Sequence, residues 1–134
     1  MTLGPLRQAT IAEDGWTLAS ADTRHAEHPD SFLIPERNER DTLAPGDAAK
    51  LLFDITTREA GRAIDRGVDR MWVIVKRRVG DSYVGVLESD PRITEGLTLR
   101  PGVEVLFRAE HVSDIDHPPR SYVVDKYGAE FVTE

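Results

Sequence analysis

Apolar and polar positions alternate most regularly in the middle of the chain. From Ala48 to Thr56, Leu51, Phe53 and Ile55 fall on one side and Lys50, Leu52 and Asp54 on the other, the period-two pattern of a strand. A second run, Arg70 to Arg78, puts Trp72, Ile74 and Lys76 on one face and Met71, Val73, Val75 and Arg77 on the other. Apolar residues on both faces predict a central strand. Val79-Gly80-Asp81-Ser82 is a tight connection, and Tyr83 to Glu88 returns as a third strand to complete a hairpin. Ser89-Asp90-Pro91 stops it, because proline cannot donate to a ladder. Arg100-Pro101-Gly102 then launches Val103 to Arg108, with Val103, Val105 and Phe107 on one face. Leu43-Ala44-Pro45-Gly46 before the first strand is echoed by Leu99-Arg100-Pro101-Gly102 before this one. Two tight turns feeding core strands suit a strongly bent antiparallel sheet or a partly open barrel.

Outside these runs the pattern weakens. Residues 1–41 mix proline, charge and histidine with few apolar clusters, and are expected to be largely irregular and docked on a β-rich core domain, residues 42–134. Within them Ser31 to Pro35 reads as an edge segment, and Glu36 to Leu43 as one helical turn or a loop. Thr57 to Asp69 reads as a mobile or partly helical connector. Arg58, Arg62, Arg66 and Arg70 recur every fourth residue, as on one helix face, but Gly61 and Gly67 each cost a helix about 1 kcal/mol. Glu110 to Asp116 reads as a short polar turn or helical turn, His117-Pro118-Pro119 as a breaker, and Ser121 to Lys126 as a last strand before a loose tail. The expected fold is mainly β, with little helix.

Composition narrows the classes of function. At 134 residues, 40% hydrophobic and 31% charged, the chain can bury one core and is neither disordered nor membrane-spanning in composition. The first ten residues lack the basic and apolar regions of a secretory signal, so a cytoplasmic location is expected. Without cysteine there is no disulfide, thiolate metal site or cysteine nucleophile. Seventeen basic against twenty-four acidic residues give a net charge of −7, which argues against nucleic acid and suits solubility or a cationic protein partner.

Arg70-Met71-Trp72-Val73-Ile74-Val75, Gly80-Asp81-Ser82-Tyr83-Val84-Gly85-Val86-Leu87, Ser89-Asp90-Pro91 and Arg100-Pro101-Gly102-Val103-Glu104-Val105 together form a pattern. It resembles the bacterial family catalogued as domain of unknown function 2314, over about Val68 to Asp116. Val103 and Ser89 stand where Asp and Asn are common in that family. The resemblance implies a compact bacterial domain and no particular chemistry. A likeness to bacterial immunity proteins is one of size and charge.

Candidate chemistry is sparse. His25 and His28, and His111 and His117 beside Asp114 and Asp116, invite a metal, but the His-Glu-x-x-His spacing of hydrolytic zinc sites is absent. Glu88 with Asp90, or Glu110 with Asp114 and Asp116, could pair as acid and base; surface solvation and turn capping explain them more simply. There is no Gly-x-Ser-x-Gly elbow and no phosphate loop. No catalytic residue, metal ligand or cofactor is assigned. Trp72 and Tyr83, which hairpin pairing could bring to one face, and the arginines Arg58, Arg62, Arg66 and Arg70 are the candidate partner-binding residues. The expected function is therefore a noncatalytic protein-binding domain, in the manner of an immunity or regulatory partner, with a homodimer through an edge strand also open. The alternative is a small-molecule module or a small hydrolase-like enzyme using the clustered carboxylates.

Overall fold

A computed structural model describes residues 7–59, 62–89 and 99–129. The chain is mainly β, a curled antiparallel half-barrel with short helices around it. The elements are α1 (Ile11–Asp14), β1 (Trp16–Ala19), α2 (Ala21–Glu27), α3 (Arg37–Asp41), β2 (Ala48–Glu59), β3 (Arg62–Val79), β4 (Ser82–Leu87), β5 (Glu104–Arg108), β6 (Val112–Asp116) and α4 (Arg120–Tyr127). The strand order is β1-β2-β3-β4-β5, and β6 also pairs with β2. One edge of β2 is thus divided, with β6 along Ala48 to Leu51 and β1 along Leu52 to Ile55.

Odd-numbered positions from Ala49 to Ile55 in β2 and from Met71 to Val75 in β3 face the concave side, as their alternation predicts. Leu51, Phe53, Met71, Val73 and Val75 join Trp16, Tyr83, Val105 and Phe107 in the main core. Even positions face outward, and Ala48, Ile74 and Val86 form a smaller apolar cluster there, covered by Val123 of α4. β3, expected to be a central strand, lies between β2 and β4 in the sheet. The two echoed turns also hold. Gly46 and Gly102 have φ of 95° and 93°, a left-handed backbone that a proline-glycine turn requires. Their amides donate to the carbonyls of Val75 and Leu87, and the preceding Leu43 and Leu99 are both buried in the main core.

Several elements differ from the sequence reading. Residues 7–41 are more regular than expected: Thr10 and Ser20 cap α1 and α2, a capping box of Glu36 and Glu39 starts α3, and β1 pairs with β2. Ser31 to Pro35 forms no strand and lies as loop. Within Thr57 to Asp69 the described residues, 57–59 and 62–69, are neither helix nor loose connector; Ala60 and Gly61 lie outside the described residues. β2 and β3 run on as a two-stranded ribbon, with a bulge between Thr57 and Arg58. A spacing of four is two strand repeats as well as one helical turn, and the pairing partner, not the arginine period, decides. Val112 to Asp116 is a strand, preceded by a 3-10 turn at Ala109–His111. Ser121 to Lys126 lies in the helix α4, not a strand.

The N-terminal segment docks through polar contacts and a buried cation. Gln8 Nε2 donates to the Leu106 carbonyl at 3.0 Å, and the Thr17 hydroxyl to the Ala9 carbonyl at 2.8 Å, so residues 8 and 9 bridge β5 and β1 at the mouth of the half-barrel. Arg40, only 5% exposed, donates to the carbonyls of Pro35 and Ala109 and to Asp22 Oδ1, at 3.0, 3.0 and 2.8 Å. A buried guanidinium is tolerated when its donors are matched in this way.

Gly85 is the position where side-chain size is most tightly limited. A Cβ there would stand 2.8 Å from Val73 Cγ2 and 3.1 Å from Phe107 Cε1, whereas at Gly67 it would meet nothing within 4 Å. We expect Gly85→Ala to destabilise the fold by about 1–3 kcal/mol through overpacking, and Gly67→Ala to leave it unchanged or slightly more stable. Urea unfolding of the two variants checks this; equal midpoints would contradict the packing.

Candidate functional site

Three places on the described surface concentrate polar side chains, and the strands decide which residues meet in each. The first is a groove of about 470 Å³ on the outer face of the sheet. Lys50 of β2 lies opposite Trp72 of β3, and Leu52 opposite Arg70, so Lys50, Arg70 and Trp72 all emerge on that face. The loop after α2 forms the facing wall with Phe32, Leu33 and Ile34, and β6 contributes Ser113 and Asp114. The guanidiniums of Arg24 and Arg70 lie 5.8 and 5.3 Å from the centre of the Phe32 ring, and the Lys50 ammonium 5.2 Å from that of Trp72. Leu33 is 74% exposed, the highest value among the exposed large hydrophobic residues described.

The charges in this groove are unequally satisfied. Asp114 Oδ1 accepts the Ile115 amide at 2.9 Å, and Glu39 Oε1 accepts the Glu36 amide at 3.3 Å. Among the described residues Lys50 and Arg70 make no ion pair, and each has only an aromatic ring as its partner.

The second place is a charged cleft of about 460 Å³ lined by Asp22, Arg37, Asp41, Arg78, Arg108 and Glu110, among others. It is largely tied up internally. Arg37 Nε reaches both Asp41 carboxylate oxygens at 3.1 Å, and Arg78 donates to the Asp41 carbonyl and to the Tyr83 hydroxyl.

The third is Glu88, at the end of β4. Its carboxylate accepts both Lys126 Nζ contacts at 3.0 Å and the hydroxyls of Tyr122 and Tyr127, so three side chains of α4 converge on one group. Burial acts most strongly on this carboxyl and raises its pKa, but the donors from Tyr122, Tyr127 and Lys126 together outweigh it, and the net value lies below the ordinary glutamate range. The same contacts act on the partners. Hydrogen bonding to Glu88 raises Lys126, while burial, then Glu88, raises Tyr127.

The predicted site residues are scattered among these places. Tyr83 is not available to a partner: it is 1% exposed, stacks on Phe107 in the main core, donates to the Arg40 carbonyl at 2.9 Å and accepts the Leu43 amide at 3.3 Å. The shared face with Trp72 fails for a physical reason. The bulge between Val75 and Arg77 separates the two registers, and Trp72 is an outward position while Tyr83 points inward. Trp72 itself is half-buried beside the Ile74 cluster and the groove. Arg66 is held by Asp54 through two contacts of 3.0 and 2.8 Å, which lower the Asp54 pKa. Arg62 is exposed on the ribbon, and the Arg58 side chain lies outside the described residues. Of the three arginines whose side chains are described, Arg70 lines the groove.

Of the carboxylates proposed as acid-base sets, Glu110 and Asp114 lie in different places, and the pair of Glu88 with Asp90 reaches outside the described residues. Glu88 lies under α4, Glu110 lines the charged cleft and Asp114 the groove, while Asp90 lies outside the described residues. The histidines are likewise dispersed. His25 Nδ1 meets the Phe32 carbonyl, His117 Nδ1 meets Asp47, and His111 Nδ1 accepts the Arg108 amide. Burial pushes the His111 pKa down, consistent with a neutral ring that accepts this bond. Among the described residues no group of three or more potential metal ligands is gathered, and no helix is long and apolar enough to cross a membrane. The groove wall formed by Phe32 and Leu33 was missed as a site; the only sign in the sequence is an apolar run that neither starts nor continues an element.

Comparison with protein-family models, with curated proteins and with solved structures finds no match to the chain.

Because the Glu88 pKa is depressed in the folded protein, its contribution to stability is present above the unfolded glutamate value, near 4.3, and is lost as pH falls through the lower folded value. Glu88→Gln should remove about 1–2 kcal/mol at neutral pH and flatten the dependence of stability on pH below about 4. Hydrogen exchange in α4 should accelerate in the variant. Unchanged exchange there would mean that Glu88 does not hold the helix.

Proposed function

We propose that this chain is a noncatalytic protein-binding domain, acting as an immunity-type or regulatory partner through the groove on the outer sheet face. The observation that carries the reading is Leu33, 74% exposed on the wall of a groove whose two cations, Lys50 and Arg70, have no carboxylate partner among the described residues. An exposed apolar anchor ringed by polar and cationic groups is the usual composition of a protein contact. Trp72 and Phe32 add flat aromatic area behind it.

The separation of Glu88, Glu110 and Asp114 into three places weighs against the hydrolase-like alternative, which needs two carboxyl groups converging on one substrate atom. Glu88 also titrates in the wrong direction for a general acid at neutral pH, since its value is lowered rather than raised.

The test is capture of a partner by the intact chain beside Leu33→Ser and Arg70→Glu. Both positions are exposed, so each variant should keep its unfolding free energy to within about 0.5 kcal/mol. Loss of a stoichiometric partner from both variants is the expected outcome. Retention of that partner by both would remove the groove from the function.

A further inference from the structure

The seat of helices α2 and α3 contains a buried histidine whose ring fits its place in only one protonation state. His111 closes the 3-10 turn between β5 and β6, and both helices pack on that turn. Its Nδ1 accepts the Arg108 amide at 2.9 Å. A backbone amide only donates, so Nδ1 carries no proton and the ring is the neutral tautomer protonated at Nε2. A proton on Nδ1 would set two N–H groups against each other and push the ring out. Two residues earlier, the Ala109 carbonyl accepts from Arg40 of α3, which also holds Asp22 of α2. One short turn thus anchors both helices, and the groove wall of Phe32, Leu33 and Ile34 lies in the loop that joins them.

The charges around the ring do not make room for an imidazolium. Burial opposes it most and Arg108 of β5 adds to that, whereas Glu110 on the same turn and Asp22 of α2 favour it. α3 brings a further cation, Arg40, to the neighbouring carbonyl. Asp22 is already bound to Arg40 at 2.8 Å, so turning it towards His111 would undo the tie between α2 and α3. His25 of α2 behaves differently. Its Nδ1 meets the Phe32 carbonyl, which accepts from the ring in either charge state, so α2 and the wall stay joined.

We propose that His111 is a proton-operated latch: when Nδ1 takes up a proton the ring leaves the Arg108 amide, and α2 with the groove wall comes away from the turn. This holds whatever occupies the groove. An unfolded histidine takes up its proton near pH 6.5, so the latch is fully engaged above that value and is lost progressively as pH falls below it. Glu88, held below the ordinary glutamate range, stays charged throughout this window and keeps α4 in place.

The test follows the intact chain by NMR from about pH 7.5 to about pH 5. The His111 ring nitrogens should report the Nε2-protonated tautomer at the start. Amide protection, corrected for intrinsic exchange, should then fall about threefold or more in Ala21–Glu27 and at Phe32, with the midpoint of the His111 ring, while β3 and β4 keep theirs. His111→Asn retains an acceptor and cannot titrate, and should hold α2 and Phe32 protected down to about pH 5. His25→Gln should leave the acid response in place. The latch is overturned by unchanged protection in the intact chain, by a midpoint different from that of the ring, or by a loss shared equally by β3 and β4. An acid response that survives His111→Asn, or that vanishes with His25→Gln, overturns it as well. Should His111→Asn fail to fold, the coincidence of midpoints in the unaltered chain decides alone.

Discussion

The rest of the structure depends on the pairing of β2. One of its edges is taken by β3 over its whole length, and the other is shared, residue by residue, between β6 and β1. Every backbone group of a central strand must find a partner, and here one strand draws its partners from both flanks of the sequence. The junction falls between Leu51 and Leu52, both fully buried, one facing the main core and the other the outer side. Curling the sheet about this strand brings Phe53, Val73 and Phe107 into one core and leaves the even positions outward. The groove exists because those outward positions are covered at one end by α4 and walled by the loop after α2.

Much of the sheet was legible in the sequence because the strands with two-residue alternation are also those with proline-glycine or glycine-aspartate turns at their ends. Leu51-Phe53-Ile55, Met71-Val73-Val75 and the pair of Leu-x-Pro-Gly turns carry both signals. The elements that were misread carry only one, or carry a signal with two readings. In β6 the alternation is broken by the register shift opposite Lys50 and Leu51, which buries both Val112 and Ser113. In α4 the β-prone Tyr-Val-Val is overruled by contacts four residues apart: Val123 and Tyr127 against the outer cluster, Tyr122 and Lys126 at Glu88. Pro119 before the helix and Gly128 after it were the available signs. On the ribbon, exposed arginines leave no apolar pattern to read.

The candidate site was less legible for a related reason. Trp72 and Arg70 were identifiable as aromatic and cationic positions of one strand, and both reach the outer face. Tyr83 belongs to the same hairpin but turns inward across a bulge that nothing in Val75-Lys76-Arg77 announces. The opposite wall, Phe32 and Leu33, comes from a segment whose position is set by Arg40, a cation that reads as solvent-facing and is instead among the most buried charged groups described. Long-range contacts of this kind are fixed by tertiary packing and leave no local periodicity.

The divided edge of β2 also has a consequence for the order in which the chain can become a finished fold. As synthesis proceeds from the N-terminus, β1 is already out when β2 appears, and β3 and β4 can close hairpins locally. The half of the edge along Ala48 to Leu51 must wait until residues 112–116 have left the ribosome. Until then a nascent chain shows unpaired amides and carbonyls beside some of its most apolar residues, a surface that other nascent strands could add to. The last of the described strands to emerge is therefore the one that completes the pairing of β2.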